Sequence, residues 1–125
     1  MKVLNISYPT PLSEISKKDD NNIDIFIELE DGSTITAVVS TAQNLITRMK
    51  EDNVNFVSPP QPDIIVSTLT EENIKKAVDE YAIGDAFWLK LLYVASLDKS
   101  VIDMDRINQY LSQLKKLNEE LLNGG

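Results

Sequence analysis

Carboxylates are the side chains of this sequence that could carry chemistry, because it contains neither histidine nor cysteine. One group, Asp19, Asp20 and Asp24, lies beside Asn21 and Asn22, and such oxygen-rich stretches can bind calcium. The group lacks the central glycine and the closing glutamate that a calcium-binding loop requires. We therefore interpret it as a solvated turn and predict no metal site.

A second group of carboxylates, Glu28, Glu30 and Asp31, lies where a predicted strand ends. Glu28 and Glu30 are two residues apart, so a strand places them on one face, as a catalytic carboxylate pair would require. Ordinary sheets also expose charged side chains at alternate positions. We expect these acids to lie on the solvent face of a hairpin.

The missing residue types exclude most kinds of active site. Without histidine the commonest general base and the imidazole ligand are missing, and without cysteine there is no thiolate nucleophile, disulfide or thiolate metal site. The 4 glycines, two of them terminal, form no phosphate-binding loop. We predict no catalytic residues, no cofactor and no enzyme activity. The alternative, an enzyme or small-molecule binder built on carboxylates alone, requires a deep pocket that holds two of them in unequal environments.

The charge balance bears on the class of partner. The 125 residues include 12 basic and 20 acidic side chains, which give a net charge of −8. A nucleic-acid-binding protein normally presents a basic surface to phosphates, so we predict no nucleic-acid partner. The same charge disfavours anionic membranes, and no apolar stretch is long enough to cross a bilayer. The N-terminal segment lacks the apolar core of a signal peptide, so we expect a cytoplasmic location.

Alternating apolar and polar side chains predict strands in the N-terminal half. Residues 2–8 form the first strand, and the polar residues 12–22 form a surface loop. Residues 23–30 carry isoleucine or leucine at every second position, which predicts a strand with one buried face, and residues 33–39 return beside it.

The turn between these two strands determines their register. A two-residue turn at 31–32 would place Ile35 on the polar face. A three-residue turn, residues 30–32, sets Ile27 opposite Ile35, so that the apolar faces coincide, and gives Gly32 the left-handed conformation that such turns require. We predict the three-residue turn.

Two further strands are predicted, at residues 53–57 and 63–68. Ile64, Ile65 and Val66 follow one another, which is typical of a strand covered on both faces. The proline-rich residues 58–62 between them predict extended backbone without helix.

Capping residues predict two helices, one after position 40 or 41 and one after Thr70. The spacing of the first helix places Leu45, Ile46 and Met49 inward.

Residues 85–97 form a third predicted helix, which is apolar on nearly every side. Trp88 and Leu92 share one side, whereas Phe87 and Leu91 occupy another. All-round apolar character favours burial between the sheet and the last helix. The alternative is that one side is a docking patch that contains Trp88.

The last helix spans residues 103–122 and has an apolar seam in steps of three and four. The seam consists of Ile107, Tyr110, Leu111, Leu114, Leu117 and Leu121. We predict that it packs on the third helix. The alternative is a short coiled coil with its own copy, which would make a homodimer through residues 103–122.

Strands that come early and helices that come late predict a single α+β domain over residues 1–125. We expect a mostly antiparallel sheet of about four to five strands in the N-terminal half, packed against three to four helices in the C-terminal half.

Size, charge and missing catalytic types favour a non-catalytic protein-binding module. Small acidic bacterial immunity and antitoxin proteins are similar in these respects, and they often cover a basic nuclease. On this hypothesis exposed acids steer a basic protein partner towards the chain. The candidate acids are Asp19, Asp20, Glu28, Glu30 and Asp31. The alternative is a homo-oligomeric structural or assembly component that pairs through the last helix.

Overall fold

A four-stranded mixed sheet forms the N-terminal half of the computed structural model, which describes residues 1–57 and 63–124. The strands lie across the sheet in chain order: β1 (Val3–Ser7), β2 (Asn22–Leu29), β3 (Thr34–Thr41) and β4 (Asp63–Val66). The β1–β2 and β2–β3 pairs are antiparallel, whereas β4 runs parallel to β3. The predicted extended segment 58–62 lies outside the described residues.

The turn between β2 and β3 has the predicted length and register. Ile27 pairs with Ile35, and the backbone amide of Leu29 donates to the carbonyl oxygen of Ser33 at 2.9 Å. Gly32 has a φ of +86°, a left-handed conformation in which a side chain would be strained. The prediction of a three-residue turn is confirmed.

The described helices are α1 (Ala42–Asp52), α2 (Glu71–Tyr81), α3 (Ile83–Leu97) and α4 (Met104–Asn123). Thr41, Thr70 and Asp103 cap α1, α2 and α4, because each side chain accepts a hydrogen bond from the backbone amide three residues further on. A 3-10 turn, Lys99–Val101, joins α3 to α4. The arrangement is α+β, as predicted.

One face of the sheet is buried, and this burial holds the fold together. The alternating positions of β2 are fully or almost fully buried, as predicted, and each fully buried isoleucine contributes roughly 1.5–3 kcal/mol. Ile74 and Val78 of α2 and Ala86 and Leu89 of α3 belong to the same core. The sheet contributes Ile23, Ile25, Ile27, Leu29, Ile35, Ala37, Val39, Ile64 and Val66.

The prediction that Ile46 of α1 faces inward is wrong, because its side chain is 44% exposed. The buried residue of this helix is Asn44. Its amide nitrogen donates to Asp20 at 3.2 Å, and its amide oxygen accepts a hydrogen bond from Asn22 at 2.8 Å. Polar contacts therefore attach α1 to the start of β2, and its apolar residues need not face inward.

One strand prediction is wrong, and another is right about the strand but wrong about its burial. Residues 53–57 form no strand, because Asn53 ends α1 in a left-handed conformation with a φ of 54° and the chain continues in turn and irregular backbone. The strand predicted at 63–68 is β4, but only one of its faces is covered. Ile64 is buried whereas Ile65 is 43% exposed, since β4 lies at the edge of the sheet and alternates its side chains.

A left-handed turn separates the two parts of the chain. Gly84, Asp85 and Ala86 have φ values of 64°, 57° and 54° inside the span of α3. We refer to residues 83–124 as the helical arm and to residues 1–57 and 63–82 as the body.

The predicted burial of α3 between the sheet and the last helix is wrong. After the left-handed turn only the side of α3 that carries Ala86 and Leu89 reaches the core, and Trp88 is 61% exposed. The predicted packing of α4 on α3 is wrong as well. Within the described part of the chain no residue of α4 is buried, because extended backbone at Asp98 and Ile102 separates the two helices.

Candidate functional site

The predicted acidic residues lie at two different places. Asp19 and Asp20 precede β2, whereas Glu30 and Asp31 follow it. The 8 residues of β2 hold these pairs about 26 Å apart. The structure therefore brings them together as two separate groups and not as one acidic patch.

Asp20 is occupied by contacts within the chain. Its carboxylate accepts hydrogen bonds from the Thr47 hydroxyl at 2.9 Å and from the Asn44 amide at 3.2 Å, both on α1. These bonds anchor the loop before β2 against α1. Asp19, in contrast, is exposed.

Asp31 connects the β2–β3 turn to the helical arm. Lys90 of α3 donates to its carboxylate at 2.5 Å, and the hydroxyl and amide of Ser33 donate at 2.5 and 3.0 Å. The hydrogen bond from Lys90, followed by those from Ser33, holds the pKa of Asp31 well below its usual range. Glu30 accepts a hydrogen bond from the Lys2 amide at 3.0 Å. The Lys90 ammonium therefore offsets the charge of Asp31 at this end.

Glu28 belongs to an exposed stripe along the middle of the uncovered sheet face. Asp24, Phe26 and Glu28 alternate with the buried residues of β2, and all three are exposed. Thr36 and Thr34 pair with Phe26 and Glu28 on the neighbouring strand. The stripe, which we name the acidic stripe, combines two carboxylates with an aromatic ring.

Trp88 lies on the helical arm in a larger apolar surface. It contacts Phe87 edge to face, with ring centroids 5.4 Å apart, and Phe87 is 58% exposed. On another side of α3 an open concavity of about 540 Å³ reaches the 3-10 turn. Its lining includes Phe87, Lys90, Leu91, Val94, Val101 and Ile102.

The seam of α4 extends this apolar surface by a further 20-residue helix. Leu114 is half-buried, and the other seam residues are exposed, up to 71% for Leu121. A helix of this length that is left in water would gain little from its intrinsic propensity alone. The seam is therefore as apolar as a helix face that packs in a core, but no other described element covers it.

A small cleft between β1 and α2 could be considered as a pocket for a small molecule. Its volume is about 280 Å³, and its lining includes Tyr8, Glu71 and Lys75. Burial, and next the Glu71 carboxylate, raise the pKa of Tyr8. The cleft contains one carboxylate and not the pair that carboxylate catalysis would require.

No family model, curated protein or solved structure matched the chain. In residues 1–57 and 63–124 no three acidic side chains lie close enough together to hold a metal ion. None of the described helices combines the length and the apolar character that a membrane crossing needs.

Sequence reasoning missed the polar contacts of α1 and the exposure of the arm. These polar contacts include Asp63, whose carboxylate accepts a hydrogen bond from the Ser40 hydroxyl at 2.9 Å and lies 3.5 Å from the Arg48 guanidinium. These residues are far apart in sequence and have no characteristic spacing, so no sequence signal could have found them. The exposure of Trp88 was foreseen only as the alternative to burial.

Proposed function

We propose that the protein is a non-catalytic protein-binding module whose binding element is the helical arm. The observation that carries this proposal is the apolar surface that α3, the 3-10 turn and α4 leave uncovered. Large exposed apolar surfaces on a folded chain usually mark protein–protein contacts.

The residue types of the arm support a protein partner. Tryptophan, tyrosine, phenylalanine and arginine are enriched in the centres of protein interfaces. The arm carries Phe87, Trp88, Tyr110 and Arg106 on its exposed surface. The concavity beside Phe87 is open and apolar, which fits an inserted side chain of a partner.

The attachment of the arm also supports this function. Ala86 and Leu89 are buried in the core, and Lys90 bonds to Asp31 of the body. These contacts fix the first turns of α3, while Phe87, Trp88 and Leu92 stay exposed. A partner can therefore cover the arm without unfolding the body.

Photo-crosslinking in cells that produce the protein tests this proposal. A photoreactive phenylalanine analogue in place of Trp88 or Tyr110 should give protein adducts after irradiation. The control position is Lys76, which is exposed on α2 and pairs with Glu72 at 2.8 Å. Adducts that are no more abundant at the two arm positions than at Lys76 would contradict the proposal.

A second candidate function uses the acidic stripe. We propose it because Asp24, Phe26 and Glu28 are all exposed on the uncovered sheet face, where they could dock a basic partner in a cytoplasmic immunity or antitoxin role. Binding should weaken as ionic strength rises from about 0.05 to about 0.5 M. The double variant D24N/E28Q should lose affinity, whereas Glu72→Gln on α2 should not. Binding that is insensitive to salt and to the double variant would remove this candidate.

A further inference from the structure

The seam of α4 has the spacing of a coiled coil. Ile107, Tyr110, Leu114, Leu117 and Leu121 follow one another in steps of three, four, three and four, which is the a and d pattern of a heptad repeat. The pattern spans residues 107–121 of the 20-residue α4, about 21 Å along the helix axis.

We infer that α4 pairs with α4 of a second copy of this chain, side by side and antiparallel. This inference rests on the proposed function and names its partner.

The charges beside the seam determine the orientation. Arg106 and Glu120 occupy g positions at opposite ends of the helix, and neither forms an ion pair within the described residues. In an antiparallel pair g positions face g positions, so Arg106 of each copy lies beside Glu120 of the other. In a parallel pair Arg106 would face Leu111 of the second copy instead.

The register that joins these charges also aligns the apolar residues. It places Ile107 against Leu117 of the second copy and Tyr110 against Leu114, with each contact made twice by the two-fold symmetry. Leu111, at an e position, then lies near its own counterpart at the two-fold axis. Shifting one helix by a heptad in one direction leaves Ile107 opposite Gly124, and shifting it in the other leaves Leu117 opposite Ser100, which lies before α4. Either shift separates Arg106 from Glu120.

The available area is close to what a stable pair needs. The exposed seam amounts to roughly 600 Å² on each copy before the flanking polar residues are added, against about 800 Å² per partner in a standard interface. The opposed directions also place the positive end of each helix dipole near the negative end of the other. A second copy therefore covers the seam from Ile107 to Leu117 and pairs its flanking charges, whereas Leu121 lies beyond this overlap, opposite Asp103 of the second copy.

A charge exchange tests the pairing directly. The molar mass of the full chain, measured by analytical ultracentrifugation over a concentration series, should rise from monomer to dimer. Arg106→Glu should raise the dimer dissociation constant about tenfold, since it replaces two attractive pairs with repulsive ones. The double variant R106E/E120R should restore the original value. Lys116→Glu, with the same charge change at a position outside the seam, should leave the dissociation constant unchanged.

Crosslinking through introduced thiols tests the orientation, because the chain has no cysteine of its own. Leu111→Cys should give a covalent dimer with a short thiol crosslinker. Leu117→Cys should not, because an antiparallel pair holds the two copies of this residue about 15 Å apart along the axis. A parallel pair would reverse the two results and overturn the inference.

The outcomes separate this inference from the function on which it rests. A chain that is monomeric at every concentration overturns the self-pairing, as does a double variant that fails to restore it. If the photo-crosslinks at Trp88 and Tyr110 then lead to a different protein, the arm is still a binding element and only its partner is wrong. If those crosslinks are absent as well, both proposals fail.

Discussion

The body and the helical arm use the same helical pattern in different ways. In α2 the apolar residues Ile74 and Val78 are fully buried against the sheet. In α4 the apolar residues have the same spacing of three and four, but Leu117 is half exposed and Leu121 is 71% exposed. The apolar spacing of a helix thus predicts that one face is available for packing, but it does not name what will cover that face.

The difference arises at the connection between the two parts. Only four residues separate β4 from α2, and the last of them, Thr70, caps the helix where it starts beside the sheet. α4 follows a 3-10 turn that is bounded by extended residues on both sides. The sheet buries its inner face with α2 and the start of α3, so the core is complete before α4 begins.

The largest expected effect that would test this comparison is on unfolding. Ile25→Ala should lower the free energy of unfolding by about 2–5 kcal/mol, because it leaves a cavity in the core. Leu117→Ala should change it by no more than about 0.5 kcal/mol. Urea unfolding in dilute solution, followed by circular dichroism, measures both. If the two variants lose similar stability, α4 belongs to the core and the distinction between body and arm is wrong.

Removal of α4 is the second test. A chain that ends at Ile102 should keep the core, so its melting temperature should fall by no more than about 4 °C in dilute solution. Differential scanning calorimetry measures this change. A fall of tens of degrees would show that the body depends on α4.

The left-handed turn should give a smaller and opposite pair of effects. Gly84→Ala should cost about 1 kcal/mol through backbone strain alone, since no atom lies within 4 Å of the added methyl group. Asp85→Gly should be neutral or stabilising, because it relieves a side chain that is held at a φ of 57°. Thermal unfolding of both variants measures these effects. The turn is not the rigid origin of the arm if the two substitutions change stability in the same direction.

The smallest effect concerns the ion pair that joins the arm to the body. Lys90→Gln should raise the pKa of Asp31 towards its usual value, because it removes the strongest of the hydrogen bonds that lower it. A lowered pKa stabilises the folded chain at neutral pH, and this stabilisation is lost as the pH falls below about 4, where the unfolded carboxyl takes up its proton first. Titration of the Asp31 carboxyl carbon by NMR measures the shift. An unchanged pKa in the variant would mean that Ser33 alone sets it.

Local rules predicted the hairpin and the caps. The three-residue turn followed from matching the apolar faces of β2 and β3, and the starts of α1 and α2 followed from hydroxyl caps at position 40 or 41 and at Thr70. Each of these features depends on residues that are close in sequence or directly paired. The α+β class followed from the same features.

Contacts between distant elements were not predictable in this way. The apolar run at Ile65 indicated two covered faces, but the position of β4 at the edge of the sheet determines what covers it. The inner side of α1 carries Asn44 and not the predicted Ile46, because Asp20 and Asn22 provide hydrogen-bond partners for Asn44 from another part of the chain. The exposure of Trp88 likewise depends on where the left-handed turn directs α3.

The prediction that exposed acids contact a partner is still untested. The structure adds a second candidate surface, the exposed apolar side chains of the helical arm. All five acids remain predicted partner contacts, and three of them, Asp20, Glu30 and Asp31, also accept hydrogen bonds within the chain. The absence of histidine and cysteine was legible from composition. The size of the uncovered apolar surface required the three-dimensional arrangement.

The irregular register between Val3 and Asn5 has a consequence for assembly. β1 and β4 form the two edges of the sheet, where unpaired backbone groups can recruit strands from other molecules and start fibres. The interruption at Val3 breaks the regular hydrogen-bonding edge of β1, and β4 is only 4 residues long. Both edges are thus poor templates for open-ended polymerisation.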